Sequence, residues 1–159
     1  MTNDSPKISV LMVCLGNICR SPLAEAALRA AAKGNGIDIE VDSAGTGDWH
    51  VGHPPDPRAI AAAKLYGGLD ISNLRARQVT AVDFDRFDYI VALDAANLRD
   101  LRALQPSRSK ARLSLLLDHM PGWEGQSVAD PYYGDETEFE ACWRQVSAAA
   151  YSLVGLIKR

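Results

Sequence analysis

The chain is poor in the residues that mark several protein classes. It has three cysteines in 159 residues, Cys14, Cys19 and Cys142. An odd, sparse set argues against a disulfide framework. Its three histidines, His50, His53 and His119, are scattered, with no zinc spacing to any cysteine. Solvent and helix caps are the expected places for them. Neither sign of charge is in large excess: 17 basic against 20 acidic residues give a net charge of −3, so no basic field favours nucleic acid. No apolar run reaches membrane-spanning length. The segment Met1 to Lys7 lacks the basic start and apolar stretch of a secretion signal and reads as a short polar tail over 1–7. A cytoplasmic protein with neither a nucleic-acid nor a membrane partner is the expectation. No internal repeat or low-complexity segment interrupts the chain, and its length suits one domain, 8–159, with a substantial core.

What is there alternates. Apolar runs at Ile8–Cys14, Ile39–Asp42, Asp88–Leu93 and Arg112–Leu117 read as strands. Helical patterns follow at Ser21 to about Lys33, Pro57 to about Tyr66, Ala95–Leu104 and Glu136 to about Ile157, with a helical turn near Ala81–Asp85. Ser21 suits a helix N-cap and Pro22 the first helical position. Gly34-Asn35-Gly36 stops that first helix. On the last helix Phe139, Trp143, Val146, Ala150 and Leu153 or Val154 share one face. Strictly alternating strands and helices predict an α/β protein: three layers, α/β/α, around a central four-stranded parallel sheet with right-handed crossovers. Ligands in such folds bind at the carboxyl ends of strands, and Cys14, Ser43 and Asp94 all stand at such ends.

The densest chemistry lies in Cys14-Leu15-Gly16-Asn17-Ile18-Cys19-Arg20-Ser21, between the first strand and the first helix. A tight loop entering a helix offers unpaired N–H groups at the positive end of the helix dipole, which makes an anion site. Arg20 adds a planar fork suited to phosphate. Cys14, at the strand end, is placed where the same donors favour a thiolate. Together they describe phosphate-ester cleavage through a phosphocysteine. The alternative is an ordinary glycine-containing turn after a buried, inert cysteine. A phosphocysteine route also needs a proton donor for the leaving oxygen. Asp130, in Asp130-Pro131-Tyr132-Tyr133, is the candidate: Pro131 restrains its backbone, and two tyrosines offer flat apolar walls.

The chain resembles the low-molecular-weight protein tyrosine phosphatases. Val13-Cys14-Leu15-Gly16-Asn17-Ile18-Cys19-Arg20-Ser21-Pro22 and Asp130-Pro131-Tyr132-Tyr133 carry the likeness. Asp42-Ser43-Ala44-Gly45-Thr46, Pro55-Asp56-Pro57-Arg58, Ala76-Arg77-Gln78, Phe87-Asp88-Tyr89-Ile90 and Asp94 with Asn97-Leu98-Arg99-Asp100-Leu101 extend it over most of 8–157. The resemblance implies that Cys14 is the nucleophile, that Arg20 binds the phosphoryl oxygens, and that Asp130 acts first as acid and then as base. Leu15, Gly16, Asn17, Ile18, Cys19 and Arg20 would form the phosphate loop. Ser21 would hydrogen-bond the Cys14 sulfur, and Asn17, with Ser43 and Asp94, would support the loop. Leu15, Trp49, Tyr132 and Tyr133 would wall the substrate slot. Cys19 would be a reversible disulfide partner for Cys14. No metal or other cofactor is implied. The implied partner is a phosphotyrosine-bearing protein, with a tyrosine kinase suggested by analogy to bacterial relatives; oligomeric state is left open.

One departure stands out. Leu74, beside Asn73, occupies a position where relatives often carry a histidine, so the polar support beneath the loop has to come from elsewhere. Ser43 and Asn17 are expected to pair directly, through water or through Asn73. Two relatives with the same loop are weighed against the phosphotyrosine reading. An arsenate reductase needs mid-chain cysteines, and 20–141 has none. In phosphoarginine phosphatases a threonine often stands at the place of Ile18. A non-catalytic phospholigand module would be expected to lose Cys14 or Asp130, and neither is lost.

Overall fold

The computed structural model describes residues 7–158, so all of the expected polar tail except Lys7 lies outside the described residues. The first apolar run forms β1 (Ile8–Cys14), with six of its seven residues buried. It lies inside a four-stranded sheet of order β2-β1-β3-β4, with β2 at Ile39–Gly45, β3 at Tyr89–Ala92 and β4 at Arg112–Leu115. Every pairing is parallel. Because both faces are covered, alternate residues of β1 serve two different cores. Val10, Met12 and Cys14 join one cluster, while Leu11 and Val13 join the other.

The first and larger cluster is roofed by α1 (Arg20–Gly34), α2 (Pro57–Gly67) and α5 (Glu136–Lys158). The second is closed by α3 (Asp83–Arg86) and α4 (Ala95–Leu104), through Phe84, Leu98 and Leu101. The α5 face is the one its spacing predicts: Phe139, Trp143, Val146, Ala150, Leu153 and Val154 are buried, and Cys142 lies among them. This is the expected three-layer α/β/α arrangement. Among the described residues, no helix is long and apolar enough to cross a membrane.

Several boundaries differ from the sequence expectations. The first helix begins at Arg20, with Cys19 in the cap position and no side chain capping it. Ser21 is therefore inside the first turn, and its hydroxyl is engaged by Cys14 and Asn17 instead. Pro22 sits third in the helix, where its missing N–H still costs nothing. β2 runs on to Gly45 because Met12, Val13 and Cys14 pair with Ser43, Ala44 and Gly45. β4 ends at Leu115, since Leu116–His119 turns into a short 3₁₀ helix that buries Leu116 and Leu117. His119 is half-buried rather than exposed, with a ring nitrogen 2.8 Å from Ser114 Oγ.

Candidate active site

The β1–α1 loop is held by its carbonyls. Thr46 N donates to Cys14 O at 2.9 Å, Gly47 N to Leu15 O at 2.9 Å and Asp56 N to Ile18 O at 2.8 Å. Among the described residues, none of the N–H groups of Leu15 through Cys19 donates to a backbone or side-chain acceptor. The loop thus spends its acceptors on the scaffold and keeps its donors free, the arrangement that binds an oxyanion. Two backbone features make this possible. A Cβ on Gly45 would lie 2.7 Å from the Leu15 carbonyl oxygen, so β2 and the loop touch through bare backbone. Asn17 is at φ 58°, the only non-glycine with positive φ among the described residues, and asparagine is among the few residues that tolerate that region.

Cys14 lies at the floor of a cavity of about 310 Å³, with Arg20 and Asp130 also lining it. Arg20 is 3% exposed. Its Nη1 donates to Asp94 Oδ2 at 2.6 Å and to Val128 O at 3.0 Å, while Nη2 lies 3.7 Å from Asp130 Oδ2. Burial works against the guanidinium charge, but the Cys14 sulfur, Asp94 and Asp130 outweigh it and raise its pKa. Asp94 does two jobs: its other oxygen caps α4 by accepting from Asn97 N at 2.7 Å. One face of Arg20 is therefore anchored and the other is turned to the cavity.

Asp130 reaches this cavity from 115 residues downstream of Leu15 because its loop is pinned at both ends. Val128 N donates to Leu93 O at 2.8 Å at the end of β3, and Tyr132 N donates to Asp130 Oδ1 at 3.1 Å. Arg58 secures the far side. It binds Asp56 through Nε and Nη2, donates to Gly134 O at 3.0 Å, and stacks over Phe139 and Tyr132 at 4.6 and 5.6 Å from their ring centres. The Pro55–Arg58 segment gave no hint of this clamp, whose hydrogen-bond partner Gly134 lies 76 positions away in sequence.

Beneath the loop, Ser21 Oγ is 3.0 Å from Cys14 Sγ, Asn17 Nδ2 donates to Ser21 at 2.8 Å and to Ser43 at 3.0 Å, and Ser43 donates to Glu25 Oε1 at 2.7 Å. Asn17 and Ser43 pair directly, without Asn73; Leu74 packs against the larger core. Glu25 is the support that sequence reasoning missed. It is 2% exposed. Its signal was there to be read: the only charge between Arg20 and Arg29 in an otherwise apolar helical stretch. Burial raises its pKa; Ser43 and Arg29 pull it back, and Asp42 adds to the rise.

At the mouth, Trp49 and Tyr133 are 66% and 96% exposed, and Tyr132 meets Tyr133 edge-on at 5.0 Å. Leu15 and Ile18 complete the apolar lining, and His50 joins it against Gly16. His50 was expected in solvent or at a helix cap; it sits instead, half-buried, on the rim. Among the described residues, no cluster of three or more His, Cys, Asp or Glu side chains could hold a metal ion.

The sequence model of the low molecular weight phosphotyrosine protein phosphatases matches residues 9–159. The chain belongs to that family. It is 45% identical over 155 residues to a low molecular weight protein-tyrosine-phosphatase of Streptomyces coelicolor, covering 94% of this chain and 93% of that one. The crystal structure of Primo-1 superposes with a TM-score of 0.89 at 40% identity, covering 96% and 99% of the two chains. A Drosophila arginine phosphatase shares the fold at a TM-score of 0.86 and 34% identity, over 94% and 98%. The family's cysteine-dependent phosphatase chemistry thus shares its scaffold with a protein named an arginine phosphatase. In the present chain, burial favours the neutral form of the remaining thiols. Burial pushes Cys142 up to about 12. Burial, with the Asp56 charge beside it, pushes Cys19 up further still.

Proposed function

We propose that this phosphatase hydrolyses phosphotyrosine on proteins, with Cys14, Arg20 and Asp130 as its catalytic residues. The phosphate oxygens occupy the free N–H groups of Leu15–Cys19 and the open face of Arg20. Cys14 attacks phosphorus as the thiolate, an S–P bond forms, the P–O bond to tyrosine breaks, and Asp130 gives its proton to the leaving oxygen. Water then attacks phosphorus while the Asp130 carboxylate takes its proton, and Cys14 departs as thiolate toward the Ser21 hydroxyl. Leu15, Trp49, Tyr132 and Tyr133 wall the aromatic ring. The observation that carries this reading is the loop whose Cys14, Leu15 and Ile18 carbonyls are tied to the scaffold while, among the described residues, the N–H groups of Leu15–Cys19 stay unspent.

The test is steady-state kinetics on phosphotyrosine, phosphoserine and phosphoarginine peptides of one sequence. Phosphotyrosine is expected to lead in kcat/KM by about a hundredfold or more, the scale on which an apolar slot and a matched acid discriminate. Equal or better turnover of phosphoarginine transfers the assignment to that substrate.

A tyrosine kinase as one such substrate protein, and the cytoplasm as the working compartment, belong to the same proposal. A cysteine nucleophile needs reducing surroundings, and all three cysteines are free. Cys14 and Cys19 both line the cavity, which supports the proposal that Cys19 is the redox partner of Cys14. A buried, neutral Cys19 attacks oxidised Cys14 slowly, because the thiolate is the attacking form. Mild peroxide should give a Cys14–Cys19 disulfide over minutes, read as a mass loss of about two daltons that thiol reverses. Sulfinic acid at Cys14 as the sole product removes the protective role.

A further inference from the structure

Counting hydrogens under the phosphate loop leads to Glu25. Asn17 Oδ1 accepts from Arg77 N at 3.0 Å, which fixes the orientation of the amide and turns its two N–H hydrogens the other way. They go to Ser21 Oγ and Ser43 Oγ, at 2.8 and 3.0 Å. Each hydroxyl must then send its own proton outward. Ser21 sends it to Cys14 Sγ at 3.0 Å, and Ser43 sends it to Glu25 Oε1 at 2.7 Å. The second Glu25 oxygen accepts from Arg29 Nη2 at 2.6 Å, and that nitrogen is itself held by Val41 O at 2.8 Å.

We propose that Glu25 is a positioning residue for Cys14, acting through Ser43, Asn17 and Ser21 and kept in register by Arg29 from the protein surface. The inference rests on Cys14 being the reacting group. Its logic is one of acceptors. Glu25 faces two donors, Ser43 and Arg29, and only a carboxylate has an acceptor for each. A glutamine has one oxygen; its amide must turn N–H toward either Ser43 or the guanidinium. Turned toward Ser43, it leaves that hydroxyl with two incoming donors and nowhere to place its proton. Ser43 then rotates, Asn17 loses a support, and the loop loses part of what holds residue 17 in the left-handed region. The Ser21 proton is no longer aimed at Cys14. Leu74 has no polar side chain, so Ser43 is left to the Glu25–Arg29 end, while Arg77 N holds the other end of Asn17.

The experiment compares the parent with Glu25→Gln, Arg29→Met, Arg29→Lys, Ser43→Ala and the Glu25→Gln/Ser43→Ala pair. Three quantities are read: kcat and KM on p-nitrophenyl phosphate, the inhibition constant of inorganic phosphate, and the iodoacetate alkylation rate of Cys14 by mass spectrometry at pH about 6, below the ordinary thiol range. Glu25→Gln should lower kcat and alkylation about tenfold, the scale of one lost hydrogen bond to a charged group. Phosphate inhibition should change by less than about threefold, since Arg20 keeps its anchors and the Cys14, Leu15 and Ile18 carbonyls still tie the loop to the scaffold. Arg29→Met should move both in the same direction by less, Arg29→Lys should restore most of that loss, and the double variant should be no worse than Ser43→Ala alone.

Two results overturn the proposal: kcat and alkylation within about twofold of the parent in both Glu25→Gln and Arg29→Met, or phosphate affinity collapsing in step with kcat. If Glu25→Gln fails to fold, Arg29→Met and its lysine rescue decide alone, because the Arg29 side chain is 52% exposed. Alkylation does not depend on turnover. A parent that alkylates as expected yet hydrolyses no aryl phosphate overturns the hydrolase reading and not the relay.

Discussion

Cys14→Ser should bind inorganic phosphate close to the parent affinity and lose turnover by roughly four orders of magnitude or more, the loss typical of removing a covalent nucleophile. The two halves of this result have different origins. Phosphate affinity comes from the unspent N–H groups of Leu15–Cys19 and from Arg20, which Asp94 and Val128 hold in place from behind. None of these contacts involves the Cys14 sulfur. Turnover needs a group that is anionic near neutral pH and can leave again from phosphorus. A serine hydroxyl, lacking an adjacent base, is neither. Ser21, whose hydroxyl lies 3.0 Å from the Cys14 sulfur, is no base and cannot ionise a hydroxyl put in its place. Calorimetric titration with phosphate measures the first half and single-turnover hydrolysis the second. Residual turnover within tenfold of the parent sinks the nucleophile assignment. Loss of phosphate binding together with turnover would mean that the serine had displaced the loop.

Asp130→Ala separates substrates by their leaving groups. For phosphotyrosine or phenyl phosphate, whose phenol leaves poorly without a proton, kcat should fall by about a hundred- to a thousandfold, within the range for a lost general acid. For p-nitrophenyl phosphate, whose phenolate leaves readily, the loss should stay within about tenfold. The geometry adds a second expectation. Asp130 Oδ2 lies 3.7 Å from Arg20 Nη2, close enough to compete with a phosphate dianion for the guanidinium and to repel it. Removing that carboxylate should leave phosphate affinity unchanged or improved, while Asp94 keeps Arg20 anchored. Plotting log kcat against leaving-group pKa for parent and variant makes the comparison. Equal losses across the series reject the acid role.

Both results concern residues legible in the sequence, Asp130 through its Asp130-Pro131-Tyr132-Tyr133 segment and Cys14, with Arg20, for a local reason. The pattern from Ile8 to Pro22 contains strand, turn and helix start within fifteen residues, so Cys14 and Arg20 are placed relative to one another by short-range geometry alone. The helix boundary there was off by one residue because Ser21 looked like a cap, and only its neighbours decide what a serine hydroxyl bonds. β4 was overextended for the same kind of reason: Leu116 and Leu117 are as apolar as a strand needs, yet they are buried by turning inward as a 3₁₀ helix. The supports were harder. Glu25 was one carboxylate on an apolar helix, and His50 one histidine in a loop rich in glycine and proline. Nothing along the chain says that Ser43 lies against the first of them or Gly16 against the second.

By itself, then, the sequence determined the alternation of strands and helices, the loop proposed to hold phosphate, and the residues proposed to do the chemistry. Those are encoded in periodicity and in residue types a few positions apart. The tertiary structure alone decided that Asp130 faces Arg20, that Arg58 clamps the loop carrying it, that Asp94 anchors the guanidinium, and that Glu25 closes the hydrogen-bond chain under Cys14. Each of those contacts joins separate elements at the carboxyl ends of parallel strands. Parallel neighbours are connected only by long crossovers, so their meeting depends on sheet order and register, which no local stretch of sequence contains.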